Sequence, residues 1–193
     1  MQLANSQPTD HFTRKLVGRP VFWLLLMAVL FGAPLVRGLR SGRAPAAPPP
    51  VGWFPRFSLV DDRGAPVNLD DLRGHAFIAN LLCVHCTEQG PLAAETMRTL
   101  QRRTRNLGDA LRLISFSNDG DAASLAAVRA KSPSSTRWLL VQGAPAEVRA
   151  LFPRIQSLVL VDGQLRIRGR YGGSQQSDVD AALRDAALVL DGN

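Results

Sequence analysis

Residues 76–82, Ala-Phe-Ile-Ala-Asn-Leu-Leu, constrain this chain more than any other stretch. The run is nearly continuous in apolar residues and has the length of a strand, so both of its faces must be covered, as in the inner strands of a sheet flanked by helices. The surrounding sequence supplies both partners. Residues 57–60 and 67–69 flank a turn holding Asp61, Asp62 and Gly64, which reads as a hairpin. Beyond the run, Ala93, Met97, Leu100 and Leu107 recur at helical spacing, with Arg98, Arg102, Arg103 and Arg105 mostly on the other side. Residues 111–116 form a second buried strand, 121–131 a helix, 138–141 a strand and 145–152 another helix. Residues 158–161 and 165–170 make a hairpin around Asp162-Gly163. Ser177 caps a closing helix whose Val179, Leu183, Ala186 and Leu190 share a face. This alternation predicts an α/β domain with a central mixed sheet, helices on both faces, and its chemistry at the carboxyl edge of the strands.

A different segment precedes this body. From Pro20 to Val36 there is no charge, between Arg19 and Arg37. As a helix the run spans about 25 Å, within the lower range for crossing a bilayer. Arg14, Lys15 and Arg19 also suit a signal-peptide n-region, but Ala33-Pro34-Leu35-Val36 offers no A-x-A cleavage site, so the expectation is a retained anchor. Ala44-Pro45-Ala46-Ala47-Pro48-Pro49-Pro50 follows as a semi-rigid spacer. The expected organisation is a cytoplasmic tail at 1–17, a transmembrane helix at 18–37, a proline-rich linker at 38–52 and a folded domain at 53–193. The formal charge of +7 is mostly N-terminal: residues 1–43 carry six basic groups against Asp10, leaving 17 basic and 15 acidic groups for the rest. A nucleic-acid binder concentrates its basic excess on the folded body, so no nucleic-acid partner is expected.

The two cysteines, Cys83 and Cys86, stand immediately after the buried run, with His85 between them. Cys86 is expected at the N-terminus of the following helix, where the dipole favours thiolate. If the loop curls, the two Cα atoms can approach within the roughly 7 Å that a disulfide needs; an extended path leaves them about 10 Å apart. Reduced, Cys83, Cys86 and a ring nitrogen of His85 form a soft ligand set suited to Cu(I). His75 opens the strand that Cys83 closes, about 25 Å away, and is expected to face solvent. Asp119 and Asp121 follow the next strand's carboxyl edge, one of them placed to cap a helix and either within reach of the thiols.

The segments Phe57-Ser58-Leu59-Val60-Asp61-Asp62-Arg63-Gly64 and Val67-Asn68-Leu69-Asp70-Asp71-Leu72-Arg73-Gly74, with Ala79-Asn80, resemble the opening of thioredoxin-like redoxins of the bacterial envelope. Cys86, Pro91-Leu92, Leu107-Gly108-Asp109, residues 111–117 with Asp119, Arg137-Trp138 and residues 157–163 narrow the resemblance to the Sco/SenC family. The resemblance implies a thioredoxin-like fold and a membrane-anchored, copper-binding protein of cytochrome oxidase assembly. It further implies a domain on the outer face of a bacterial inner membrane, with a respiratory oxidase subunit or another copper or thiol protein as partner. The family binds copper through C-x-x-x-C-P and a distant histidine. Aligned without gaps from Gly74, Cys86 takes the first cysteine position and Gly90 the second, directly before Pro91, while Cys83 has no counterpart. The histidine position falls at residues 154–156, which contain none. Three readings follow: copper delivery or thiol maintenance through Cys83, Cys86 and His85; an envelope thiol-disulfide oxidoreductase with Cys86 and Cys83 as catalytic thiols and Pro153 as the adjacent proline; or a non-catalytic scaffold.

Overall fold

The apolar run at Ala76–Leu82 is buried at every position and lies inside an eight-stranded sheet. The computed structural model describes residues 20–40, 46–132, 137–152 and 158–192. The chain divides into two units, Met1–Pro45 and Ala46–Asn193. In the second, the strands are β1 (Gly52–Trp53), β2 (Ser58–Asp61), β3 (Pro66–Asn68), β4 (Ala76–Leu82), β5 (Leu111–Ser117), β6 (Trp138–Gln142), β7 (Leu158–Val161) and β8 (Arg166–Tyr171). Their spatial order is β1-β8-β7-β4-β5-β6-β2-β3. Only β4, β5 and β6 run parallel to their neighbours in that group; the other pairings are antiparallel.

The first unit holds helix α1 (Pro20–Arg40), 21 residues or about 31 Å. Val21, Leu24, Met27, Val29, Leu30 and Phe31 are exposed along it. The side chains of residues 22, 25 and 33–40 lie outside the described set, and among the described residues no helix is long and apolar enough to cross a membrane. The expected tail at 1–17 also lies outside the description.

Helices α2 (Gln89–Arg103), α3 (Ala122–Ala130), α4 (Pro145–Leu151) and α5 (Gln176–Asp191) complete the second unit. Alternate residues of β4 serve opposite faces, as pleating requires. Ile78 and Leu82 pack with Met97 and Leu100 of α2, Leu125 of α3 and Val179 and Ala186 of α5. Phe77, Ala79 and Leu81 pack with Phe54, Phe116 and the α4 residues Val148 and Leu151. Each such large apolar side chain contributes about 1.5–3 kcal/mol on burial, and the two covered faces together hold β4 central. The predicted mixed sheet with helices on both faces is therefore the observed one.

A short buried polar chain ties the parallel strands. Trp138 Nε1 donates to Ser115 Oγ at 3.0 Å, and Ser115 Oγ donates to Asn80 Oδ1 at 2.6 Å. At the β7–β8 turn, buried Asp162 accepts from the backbone N–H of Gln164 and Arg166 and from the guanidinium groups of Arg166 and Arg168. Burial by itself raises this carboxyl, but the Arg166 N–H and the Arg168 and Arg166 side chains outweigh it and hold it below the usual carboxylate range.

Three local expectations are corrected. Leu107 leaves the helix: Thr104 ends α2 by returning both its N–H and its hydroxyl to the Leu100 carbonyl, and a 3-10 segment, Arg105–Ala110, follows with Gly108 at φ 56. Gln175, not Ser177, precedes α5 as its cap, with no side-chain capping bond, so Ser177 lies inside the first turn. His75 is only partly exposed, its ring nitrogens 3.1 Å from the Asp109 carbonyl and 3.0 Å from Arg112 Nη2. Pro153 and the histidine position at 154–156 lie outside the described residues.

Candidate dithiol and metal site

The register of β4 against β5 builds this site. Leu82 pairs with Ser117 at the end of the parallel ladder, so both strands stop at one edge, with Cys83 the next residue on one and Asn118-Asp119 the next on the other. The connection from β4 to α2 then curls rather than running extended: Cys83 and Cys86 are disulfide-bonded with their Cα atoms 5.4 Å apart. That distance falls at the common separation for bridged cysteines.

Asp119 holds the curl. Its Oδ1 accepts from the Val84 N–H at 2.8 Å, and its Oδ2 accepts from the His85 N–H at 3.0 Å. Oδ2 also lies 3.0 Å from Cys83 Sγ. With the disulfide closed this is a van der Waals approach; once reduced, the Cys83 thiol is placed to donate to the carboxylate. Ser117 Oγ, 3.3 Å from Asp119 Oδ1, accepts from the Gly120 N–H at 2.9 Å and so fixes the loop that carries the aspartate.

The helix after the loop begins later than its sequence suggests. α2 starts at Gln89 with Glu88 as its cap, so Cys86 stands in the preceding turn and not at the helix N-terminus. Its Gly90 is buried, and a Cβ built there would collide with the Cys83 carbonyl oxygen. The folded-back strand end thus occupies the space over Gly90 that a side chain would need. Pro91 sits in the same turn, where its missing N–H breaks no helical bond.

Of the predicted site residues, the structure brings Cys83 and Cys86 together and adds Asp119: one ligand atom from each lies within 4.8 Å of the others, all half-buried. The His85 side chain is exposed and outside that group. Its ring acts instead on Asp121, whose carboxyl is held below the usual range chiefly by the Ser124 hydroxyl and N–H, with His85 a smaller contributor. Asp121 caps α3 by accepting from the Ser124 N–H at 2.8 Å. The two aspartates therefore divide the roles expected of them. The signal for Asp119 was its position directly beyond a buried parallel strand; its chelating grip on two loop amides was not legible.

A mixed sheet with a dithiol loop leading from an inner strand into a helix defines a thioredoxin-like protein. The SCO1/SenC family profile matches residues 52–158, more than half of the chain, and the protein belongs to that family. Its fold is similar to that of BsSco, a Sco-family cytochrome c oxidase assembly protein in which a disulfide switch has been identified, at 21% identity and TM-score 0.67, covering 76% of this chain and 98% of that one. A SCO1/SenC family lipoprotein from Bacillus anthracis is similar at 19% identity and TM-score 0.65, covering 72% and 96%. ScoI of Bradyrhizobium japonicum, determined with copper bound, is similar at 16% identity and TM-score 0.57, covering 72% and 99%. At these identities the likenesses show the fold. Comparison with curated proteins finds no match.

Proposed function

We propose that this protein handles copper and thiols in the assembly of a respiratory oxidase, through a dithiol site rebuilt around Cys83 and Cys86. The observation that carries the reading is the closed Cys83–Cys86 pair with the Asp119 carboxylate held against it. Copper is the cargo, and the donor set suits it after reduction. A dithiol reductant delivers two electrons and two protons to the disulfide; Cu(I) then displaces the thiol protons and is held by two soft thiolates. His85, carried on the loop itself, is the proposed nitrogen donor once its exposed ring turns inward. Asp119 orients the loop and takes the Cys83 thiol's hydrogen bond in the metal-free form. Sco-family membership supports this reading, as do the copper-bound state of ScoI and the assembly role of BsSco.

In the proposed arrangement, residues 1–17 are a cytoplasmic tail, 18–37 an anchor in a bacterial inner membrane and 38–52 a linker, with the domain at 53–193 on the outer face. The uncharged run at residues 20–36 and the lipoprotein among the structural relatives support it.

The test is an anaerobic Cu(I) titration of the reduced full-length protein against a competing chelator, beside Cys83→Ser/Cys86→Ser. Stoichiometric binding that disappears in the double variant is the expected result, with a smaller loss in His85→Ala. Binding equal in wild type and double variant sinks the copper reading. The closed disulfide favours a second reading, thiol-disulfide exchange without metal, which predicts reduction by small dithiols and no Cu(I) binding above the double variant.

A further inference from the structure

Beside the disulfide, a groove of about 410 Å³ opens between α2 and α3. Its volume lies within the range of ligand pockets. Leu82 at the end of β4, Val84 in the loop, Ala94 on α2 and Val128 on α3 form its apolar lining. The ionisable groups that line it are His85, Arg98 and Lys131, all of basic type. Three carboxylates stand close by without lining it: Glu95, which pairs with Arg98 and Arg102; Asp121, within electrostatic reach of His85; and Asp119, which holds the Val84 and His85 N–H groups. These carboxylates balance Arg98, Arg102 and Lys131 in number, but the Arg98 and Arg102 guanidinium groups are taken up by Glu95, whereas Lys131 is exposed and has no ion-pair partner among the described residues. Val84 and His85 are also the two residues between the cysteines. A macromolecule that brings a cysteine to this disulfide therefore lays the residues next to that cysteine against the groove.

We propose that the groove is the docking site for the client polypeptide, and that it selects a segment in which an apolar side chain and one or more carboxylates adjoin the reacting cysteine. The apolar lining takes the first, and the exposed Lys131 attracts the second. This inference rests on the thiol chemistry proposed above. In the exchange step, the client thiolate attacks one sulfur of the Cys83–Cys86 bond. One intermolecular S–S bond forms as the intramolecular one breaks, and the other cysteine leaves as thiolate, so no further oxidant is required.

The experiment uses the full-length oxidised protein and two tetrapeptides, each of one cysteine and one leucine followed by two glutamates or by two lysines. The rate of mixed-disulfide formation is divided by the same peptide's rate with a small uncharged disulfide, which removes differences in intrinsic thiol reactivity. The glutamate peptide is expected to be about tenfold faster at low ionic strength, with the advantage shrinking as salt is added. Lys131→Glu and Ala127→Glu, both at exposed positions on or beside α3, should abolish the advantage; Arg73→Glu, exposed on a distant turn, should retain it. Equal normalised rates in the wild type, or a preference that survives both α3 variants, overturn the proposal. So would phosphatidylglycerol vesicles that bind in a Lys131-dependent manner while the peptides show no preference, since the face would then belong to lipid. If small dithiols also fail to open the disulfide, it is the thiol reading itself that has failed.

Discussion

Replacing Gly90 with alanine tests whether the folded-back loop governs this site. At an open helical position this change stabilises a protein by about 1 kcal/mol, because alanine restricts the unfolded chain and favours helix. Here the added methyl meets the Cys83 carbonyl oxygen, with the carbonyl carbon at 3.3 Å and the Val84 carbonyl oxygen at 3.6 Å. Backbone is a poor yielder. The strand end or the first turn of α2 must move by about 1 Å to restore an ordinary carbon–oxygen separation. Overpacking of this kind costs about 1–3 kcal/mol. In the oxidised protein, where the disulfide and the Asp119 bonds both hold the loop, the net result is a loss of about 1–2 kcal/mol. In the reduced protein the Asp119 bonds still hold Val84 and His85, but the Cys83–Cys86 bond no longer does, so the carbonyl can yield further and part of the loss is relieved. The difference weakens the disulfide: its reduction potential rises by about 30 mV for each 1.4 kcal/mol. Urea unfolding of oxidised and reduced Gly90→Ala, with a glutathione redox titration, reads both quantities. Stabilisation of the oxidised variant by about 1 kcal/mol, the ordinary helical effect, would refute the argument, as would equal losses in the two redox states.

Asp119→Asn keeps one oxygen but turns an amide nitrogen toward the second loop N–H, so oxidised stability should fall by about 2 kcal/mol in urea unfolding; an unchanged midpoint removes Asp119 as the loop's anchor. Ser115→Ala strands the Trp138 N–H and the Asn80 carbonyl oxygen in the core, at a cost of about 2 kcal/mol by the same measurement, and a neutral result would mean the polar chain is dispensable. Asp162 has a folded-state carboxyl held below its unfolded value of 3.8, so its contribution is complete above that pH and is lost as pH falls through the lower folded value. Thermal unfolding from neutral to strongly acidic pH should show Asp162→Asn destabilised by about 3 kcal/mol near neutrality, with the gap to wild type closing in acid; a gap independent of pH contradicts the assignment.

The element order was legible because its signals are local. The apolar run at residues 76–82 demanded cover on both faces, the Met97 and Leu100 spacing demanded a helix, and Asp162-Gly163 marked a turn, each readable from side-chain periodicity or turn chemistry alone. The same local reading failed where a neighbouring element decided the outcome. Thr104 and Gly108 ended a helix whose periodicity continued to Leu107, and Arg112 and Asp109 drew in a histidine that looked exposed.

The dithiol pair, its place after a buried strand and the absence of a cysteine at position 90 are properties of the sequence itself. Whether the loop curls or extends was undetermined at that level, because a four-residue segment can adopt either path at similar local cost. The fold settled it through the β4–β5 register, which sets Asp119 beside Cys83 across 36 positions of chain and lets one carboxylate hold two consecutive amides. Gly90 looked like a lost ligand; in the folded chain it is the one residue type that leaves room for the Cys83 carbonyl. Non-local hydrogen bonds and steric exclusion do not leave a periodic trace in sequence, and these two determine the geometry of the thiols.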